Sequence, residues 1–173
     1  MARKRERVVA LVVVIFFFVT SFSLSIGVIW QMYQDSHNKD NGSTMDNKPR
    51  LQGTRLSNFT PVAHIDQLQI TDQKVGNGTE AKAGDTVVVD YTGAVAANGV
   101  IFQSSLDTGQ PASLSLSQVI KGWQDGIPGM KIGGERRLLI PAADAYGANP
   151  PQGSGIPANA DLVFDITLQS VGQ

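Results

Sequence analysis

Five aromatic residues stand out as possible binding-site residues in the C-terminal part of this 173-residue chain, positions 68–173. They are Tyr91, Phe102, Trp123, Tyr146 and Phe164. Such rings either fill a core or line an apolar pocket, in which the tyrosine hydroxyls can also donate hydrogen bonds. Core packing is their ordinary role, and a ligand pocket is the alternative.

Residues 68–173 contain no candidate residues for covalent or metal-dependent catalysis. Residues 68–173 contain no histidine and the whole chain contains no cysteine, so a Ser-His-Asp triad, a Cys nucleophile and a thiolate metal site each lack an essential member. No P-loop, G-x-S-x-G or H-E-x-x-H pattern occurs in the chain. The carboxylates mostly adjoin predicted turns, where Asp hydrogen-bonds its own backbone; they are Asp85, Asp90, Asp125, Asp144 and Asp161. We therefore expect neither a metal nor a cofactor.

Short strand-like runs separated by turns must position the aromatic residues. From Leu68 onward the runs read LQITDQKVG, TVVVDYTGAVA, VIFQSS, ASLSL, ERRLLIP and DLVFDITLQSV. Asn98-Gly99 predicts an antiparallel hairpin between the second and third runs. One helix is predicted, over 118–126. It is expected to be short because Gly122 lies within it and Pro128 follows it. An antiparallel sheet with one helix against it is an α+β fold.

The N-terminal 30 residues predict a membrane anchor. Residues 8–30 read VVALVVVIFFFVTSFSLSIGVIW without a charge, which at about 1.5 Å per residue is long enough to cross a bilayer. Residues 1–7 are basic, and Lys39 is the first Lys or Arg after the apolar run. The basic end is therefore expected in the cytoplasm and the remainder outside the cell membrane, as a single-pass protein. A cleaved signal peptide is the alternative, but the run is longer than usual for one and no A-x-A site follows it.

Residues 31–67 are predicted to form a flexible linker, because they are mostly polar and show no apolar periodicity. Both histidines, His37 and His64, lie here without a companion that could complete a metal site. Residues 1–67 contain eight Lys/Arg and five Asp/Glu. Residues 68–173 contain six Lys/Arg and ten Asp/Glu, so this part has a net charge of −4. An acidic globular part makes nucleic acid an unexpected partner.

Several blocks in the C-terminal part carry a family resemblance. The stretch Val119-Ile120-Lys121-Gly122-Trp123, followed by Gly126, Met130 and Gly133, resembles the V-I-x-G-W signature of FKBP-type peptidyl-prolyl isomerases. The blocks that agree with it in order and spacing are Val89-Asp90-Tyr91-Thr92-Gly93, Phe102-Gln103-Ser104-Ser105, Ala145-Tyr146-Gly147 and the run from Gly155 to Asp165. The resemblance covers about residues 68–171. It implies an FKBP-like antiparallel sheet wrapped around one short helix in residues 68–173, behind the single N-terminal transmembrane helix.

The resemblance also implies which residues form the site. It assigns catalytic roles to Tyr91, Phe102, Ile120, Trp123, Tyr146 and Phe164, and substrate contacts to Gln103, Val119 and Ile156. Trp123 would be the floor under the proline ring, while the backbone N–H of Ile120 and the hydroxyl of Tyr146 would bind substrate carbonyls. Because all five aromatic residues fall in this set, the resemblance favours a pocket over core packing.

Two positions depart from the family pattern. Gln103 stands where the family usually has an acidic residue, so the site lacks that negative charge. Isomerase activity, and binding of macrolides of the rapamycin type, would both be weakened. In the shortened segment 110–117, Ala112 or Leu114 replaces a family aromatic, which would open one wall.

The function implied is that of an isomerase for X-Pro bonds in extracytoplasmic polypeptides, assisting their folding. The alternative is a holdase of the same fold that binds proline-containing chains with little isomerisation. A third hypothesis, a surface protein using the domain as a spacer, has little support in the sequence.

Overall fold

The computed structural model describes residues 50–172, in which six strands form one antiparallel sheet. The strands are β1 (Gln69–Lys74), β2 (Thr86–Val95), β3 (Ile101–Ser104), β4 (Ala112–Ser115), β5 (Glu135–Ile140) and β6 (Leu162–Gly172). Their order is β1-β5-β6-β2-β3, and β4 pairs with the first half of β2. The α+β prediction of an antiparallel sheet with few helices is confirmed.

Within residues 50–172 the one α-helix, α1, spans Lys121–Gly126 and is shorter than the predicted 118–126. Leu116–Gln118 forms a separate 3-10 turn, and the backbone of Val119 and Ile120 is extended, with ψ of 172° and 150°. Gly126 and the following Pro128 limit the far end. The extended break before the helix exposes the Val119–Ile120 peptide at the place where the predicted site lies.

The main core lies on one face of the sheet, against α1. Alternate residues of a strand point to opposite faces, and the inward set of β5 and β6 is fully buried, including Leu138, Ile140 and Leu168. Trp123 and Ile127, within and just after α1, belong to the same apolar cluster. The helix therefore covers the concave side of the sheet and carries Trp123 into it.

The predicted hairpin is confirmed in its pairing and differs in its turn. Strands β2 and β3 pair antiparallel, and the N–H of Gly99 donates to the carbonyl of Val95 at 2.7 Å. Of the two turn residues Asn98 and Gly99, only Gly99 has a positive φ, of 69°. The side chain of Asn98 instead accepts from the N–H of Val100 at 2.8 Å, so Asn98 stabilises the turn as a hydrogen-bond acceptor.

The structure differs from the predicted linker 31–67 in its second half, residues 50–67. Residues 50–67, here called the strap, cross the sheet's second face, where Leu56 packs with Ala94, Ile101 and Val163. Ile65 is also buried, 1 % exposed. The strap has few apolar residues and no hydrophobic periodicity. It has no regular secondary structure and contributes single side chains to a surface formed by strands distant in sequence.

Arg137 of β5 ties the strap to the sheet. Its guanidinium donates to both carboxylate oxygens of Asp165 on β6, at 2.6 and 2.8 Å, and to the carbonyl of Asn58 at 2.7 Å. The same group lies 5.5 Å from the ring centroid of Phe59. One half-buried cation thus holds two strands and the strap together.

The predicted tail 1–7, the predicted anchor 8–30 and residues 31–49 of the predicted linker lie outside the described residues. Within residues 50–172 no helix is long and apolar enough to cross a membrane.

Candidate active site

Four of the five aromatic residues form a continuous series of edge-to-face contacts. The ring centroids of Tyr91 and Trp123 are 5.5 Å apart, those of Trp123 and Phe164 5.3 Å, and those of Phe164 and Phe102 5.7 Å. The planes cross at 84–86°, the geometry that aromatic quadrupoles favour. Trp123 is 4 % exposed and forms the base of the group.

Each ring comes from a different element. Tyr91 lies on β2, Phe102 on β3, Trp123 on α1 and Phe164 on β6. The β2–β3 pairing shifts by one residue between Gly93 and Ala94, and such a bulge re-aims the side chain of the extra residue. Phe102 is that residue, and it joins the main core cluster while Ile101 beside it faces the strap.

Gly93 makes room for two of these rings. It pairs with Phe164 across β2 and β6, and a Cβ at this position would lie 2.6 Å from Cζ of Phe102 and 2.6 Å from Cε1 of Phe164. Carbon atoms in van der Waals contact stay about 3.5–4.0 Å apart. Any side chain at position 93 would therefore displace the wall of the site.

A cleft of about 290 Å³ opens above the buried indole. Its lining consists of Tyr91, Gln103, Leu114, Gln118, Val119, Ile120, Trp123, Tyr146 and Phe164. Leu114, rather than Ala112, occupies the wall where the family pattern has an aromatic residue. This aromatic cleft is apolar over most of its surface, with a few hydrogen-bonding groups at its edge.

A second cleft of about 530 Å³ adjoins the first and shares Gln103 and Tyr146 with it. Phe102 and Ile156 line this larger cleft. All nine residues assigned from the sequence therefore line one of two neighbouring clefts, and Gln103 and Tyr146 stand at their junction.

The peptide between Val119 and Ile120 is held by a residue the sequence analysis did not single out. Nε2 of Gln124 donates to the carbonyl of Val119 at 2.7 Å. Among residues 50–172 the N–H of Ile120 has no acceptor. Gln124 therefore orients a peptide whose free donor lies at the aromatic cleft. Its position directly after Trp123 was the only signal in the sequence.

Both tyrosine hydroxyls are neutral donors near physiological pH. Burial raises the pKa of Tyr91, and the neighbouring Tyr146 raises it further; burial also raises the pKa of Tyr146. Since a raised pKa keeps a phenol protonated, each hydroxyl can donate to a carbonyl at any pH up to its ordinary pKa of about 10.

Gln103 is exposed and bonds neither tyrosine within the described part of the chain. Asp90 accepts from Ser105 Oγ at 3.0 Å, and the same Oγ accepts from the N–H of Tyr91 at 3.0 Å. That network fixes the backbone of β2 behind the site. The aromatic cleft itself therefore has no charged lining residue.

Metal and cofactor binding have no evident residues in the part described. Residues 50–172 hold no group of three or more His, Cys, Asp or Glu side chains arranged for a metal ion. The indole Nε1 of Trp123 is buried without a protein acceptor. The site can bind an apolar ring and hydrogen-bond to carbonyl oxygens around it.

Comparison with known families agrees with this geometry. Residues 77–169 match the model of the family described as FKBP-type peptidyl-prolyl cis-trans isomerase, which is more than half of the chain. The chain belongs to this family. It is a family of isomerases, and the matched segment contains every one of the nine site residues.

Relatives of the FKBP-type family from several organisms share this segment. A probable FK506-binding protein of Corynebacterium glutamicum is 48% identical over 106 residues, which is 61% of this chain and 87% of the relative. An FK506-binding protein of Neisseria meningitidis is 46% identical over 106 residues, 60% of this chain and 95% of the relative. FK506-binding protein 4 of Neurospora crassa is 40% identical over 140 residues, and there the matched part spans only 29% of the relative's length.

Solved structures show the same FKBP-type fold. A peptidyl-prolyl cis-trans isomerase from Pseudomonas syringae superposes with a TM-score of 0.56 at 34% identity, covering 65% of this chain and 80% of that one. FkpA from Escherichia coli has a TM-score of 0.55 at 41% identity and covers 60% of this chain and 47% of that one. The strap, residues 50–67, lies outside the segment matched by the FKBP-type model.

Proposed function

We propose that this FKBP-type chain accelerates rotation about X-Pro bonds in polypeptides. The observation that carries the proposal is the aromatic cleft, in which a buried indole forms the base and the free N–H of Ile120 lies at the rim. The proline ring rests on Trp123. The hydroxyl of Tyr146 and the N–H of Ile120 bind carbonyls on either side of the bond that turns.

The rate increase comes from selective binding of the twisted amide. Rotation must break amide resonance, which imposes a barrier of about 18–20 kcal/mol. The twisted form has less charge separation than the planar form, so a cleft with little water favours it relative to the well-solvated ground state. Phe102 and Phe164 exclude water, and no bond to the substrate has to form.

The test of this function is the cis-to-trans rate of a short Phe-Pro peptide, measured with the full chain in a protease-coupled assay. A rate constant that rises above the uncatalysed value in proportion to enzyme concentration is expected. The neutral Gln103 favours one second candidate, a holdase of the same fold. A chain that suppresses aggregation of an unfolded protein and leaves the peptide rate unchanged would support the holdase instead.

We also propose that macrolides of the rapamycin type bind the aromatic cleft weakly, because Gln103 supplies no charge to polarise Tyr91 or Tyr146. A hydrogen bond to a charged group contributes about 1.5–3 kcal/mol, so Gln103→Asp should raise macrolide affinity at least about tenfold. Calorimetric titration of both proteins measures it. Gln73→Asp, on exposed β1 and outside both clefts, is the control, and equal affinities in all three proteins would contradict the proposal.

For the location of the chain, we propose a single-pass protein of the cell membrane with a cytoplasmic N-terminus and an extracytoplasmic isomerase domain. The uncharged run 8–30 behind a basic start supports it. X-Pro isomerisation takes tens to hundreds of seconds and can limit folding, so newly exported chains are the proposed substrates.

The orientation can be measured because the chain has no native cysteine. Ser57 is exposed on the strap, so Ser57→Cys should react with a membrane-impermeant maleimide on intact cells. Labelling that requires lysis would reverse the proposed topology.

A further inference from the structure

Part of the lining of the larger cleft comes from the strap, which lies outside the segment that matches the family model. Two strap residues, Arg50 and Gln52, line this cleft together with the loop Pro151–Ser154. Phe102 and Ile156 also belong to its lining. A strap segment outside the matched residues 77–169 therefore completes a cleft that begins at the proposed proline site.

The strap wall is anchored to the sheet at two places. The carboxylate of Asp107 accepts from the N–H of Leu51 at 2.7 Å and from the N–H of Gln52 at 3.0 Å. Next along the chain, the N–H of Gly53 donates to the carbonyl of Ile101, and the N–H of Ile101 donates to the carbonyl of Thr54, both at 2.8 Å. Arg50 and Gln52 therefore extend from backbone that is bonded to β3 and to the turn that follows it.

The lining of the larger cleft suits an extended polypeptide. Besides apolar groups its lining includes the neutral amides of Gln52, Gln103 and Gln152 and the hydroxyl of Ser154. The lining hydroxyls of Ser104 and Thr108 already hydrogen-bond within the protein. Each residue of an extended chain brings one backbone donor and one acceptor that need partners. Arg50 is the one basic lining residue, and the one acidic lining residue, Asp107, already accepts two backbone hydrogen bonds.

The two clefts meet on one side of the proline site only. Tyr146 and Gln103 line both clefts, whereas Ile120 and Trp123 line the aromatic cleft alone. A chain whose proline rests on Trp123 can therefore enter the larger cleft past Tyr146, and its other flank leaves past Ile120 towards Gln118. The volume of about 530 Å³ is within the range of about 300–1,000 Å³ that holds drug-sized ligands.

We propose that Arg50, Gln52 and the loop Pro151–Ser154 form a second substrate subsite, which binds the polypeptide residues on one flank of the proline and selects an acidic side chain there. This proposal deepens the proposed function and depends on its proline-binding site. It assigns to the strap a part in substrate selection that the aromatic cleft alone does not supply.

The experiment measures binding and turnover of three fluorescein-labelled peptides by the full chain. The first is a four-residue peptide with a central Phe-Pro pair, and the other two extend it by four residues containing two Glu, either before or after the proline. One extended peptide should bind about five- to tenfold more tightly than the short peptide, and the other should gain less than about twofold.

One strap variant, one variant in the turn after β3 and a matched control attribute this gain. Arg50→Glu should remove the gain and leave binding of the short peptide unchanged. Arg55→Glu carries the same charge reversal on an exposed strap residue outside both clefts, and should keep the gain. Asp107→Ala should also lose it, because the backbone of Leu51 and Gln52 is released, even though removal of a negative charge by itself would favour an acidic peptide.

Equal gains for both flanks, or equal losses in Arg50→Glu and Arg55→Glu, would overturn the subsite. The short peptide tests the proposed function separately. If its isomerisation rate stays at the uncatalysed value while the Arg50-dependent gain in binding persists, the isomerase proposal fails and the subsite stands.

Discussion

Replacing Trp123 with Ala is expected to lower kcat/KM for a short Phe-Pro peptide by about 10- to 100-fold, or roughly 1.4–2.7 kcal/mol of transition-state stabilisation. The indole is the base of the aromatic cleft and contacts both Tyr91 and Phe164 edge to face. Its loss removes the surface under the proline ring and admits water next to the rotating amide. The protease-coupled assay measures the effect, and Phe102→Ala should lower the rate in the same direction.

A control for stability is needed because Trp123 is buried. Truncating a buried Trp costs about 3–5 kcal/mol of folding free energy, so urea denaturation must accompany the assay. Leu168→Ala removes a fully buried core side chain outside both clefts and costs about 2–5 kcal/mol. Leu168→Ala should lose stability and keep its kcat/KM in the folded protein. Unchanged rates in both Trp123→Ala and Phe102→Ala would remove the pocket assignment.

Adding one methyl group at position 93 is expected to impair both stability and activity. The new Cβ of Gly93→Ala would lie 2.6 Å from Phe102 and from Phe164, and both rings are packed in the main core cluster. Overpacking of this kind costs about 1–3 kcal/mol. Because the two rings must turn or separate, kcat/KM should fall about tenfold, which corresponds to roughly 1.4 kcal/mol.

Gly172→Ala is the matched control for Gly93→Ala. Gly93 lies in β2 and Gly172 in β6, and these two strands pair with each other. A Cβ at Gly172 would meet only ordinary contacts, at 3.6 and 4.0 Å from atoms of Thr86. Urea denaturation and the peptide assay on both variants measure the difference. If Gly93→Ala were as stable and active as Gly172→Ala, the close approach of the two rings could not be what keeps position 93 a glycine.

The candidate site residues were assigned through the family resemblance, which is carried by short blocks of the sequence. Gly122 and Trp123 lie together in the 119–123 block, and Tyr91 and Gly93 lie two residues apart on the same face of one strand. The fold class followed from the short strand-like runs separated by turns and from the hairpin signal of Asn98-Gly99. Both signals are local, so they are legible without knowing what each strand packs against.

The strap was misjudged because its interactions are between residues distant in sequence. Arg137 and Asn58 are separated by 79 positions, and Asp107 and Leu51 by 56. A polar segment with a few isolated apolar residues has the composition of a flexible linker, and only a completed sheet supplies the surface on which Leu56 and Ile65 are buried. Sequence reasoning had no period to detect there.

By itself, the sequence determined the antiparallel strands, the family and the set of rings, because strand-like runs, turn residues and motif spacing are properties of neighbouring residues. Tertiary structure alone decided how the site is walled. It placed Leu114 in the aromatic cleft, set Gln124 to hold the Val119 carbonyl, and brought Arg50 and Gln52 into the lining of the larger cleft. Those placements depend on closure of the sheet, which brings together segments that no local pattern relates.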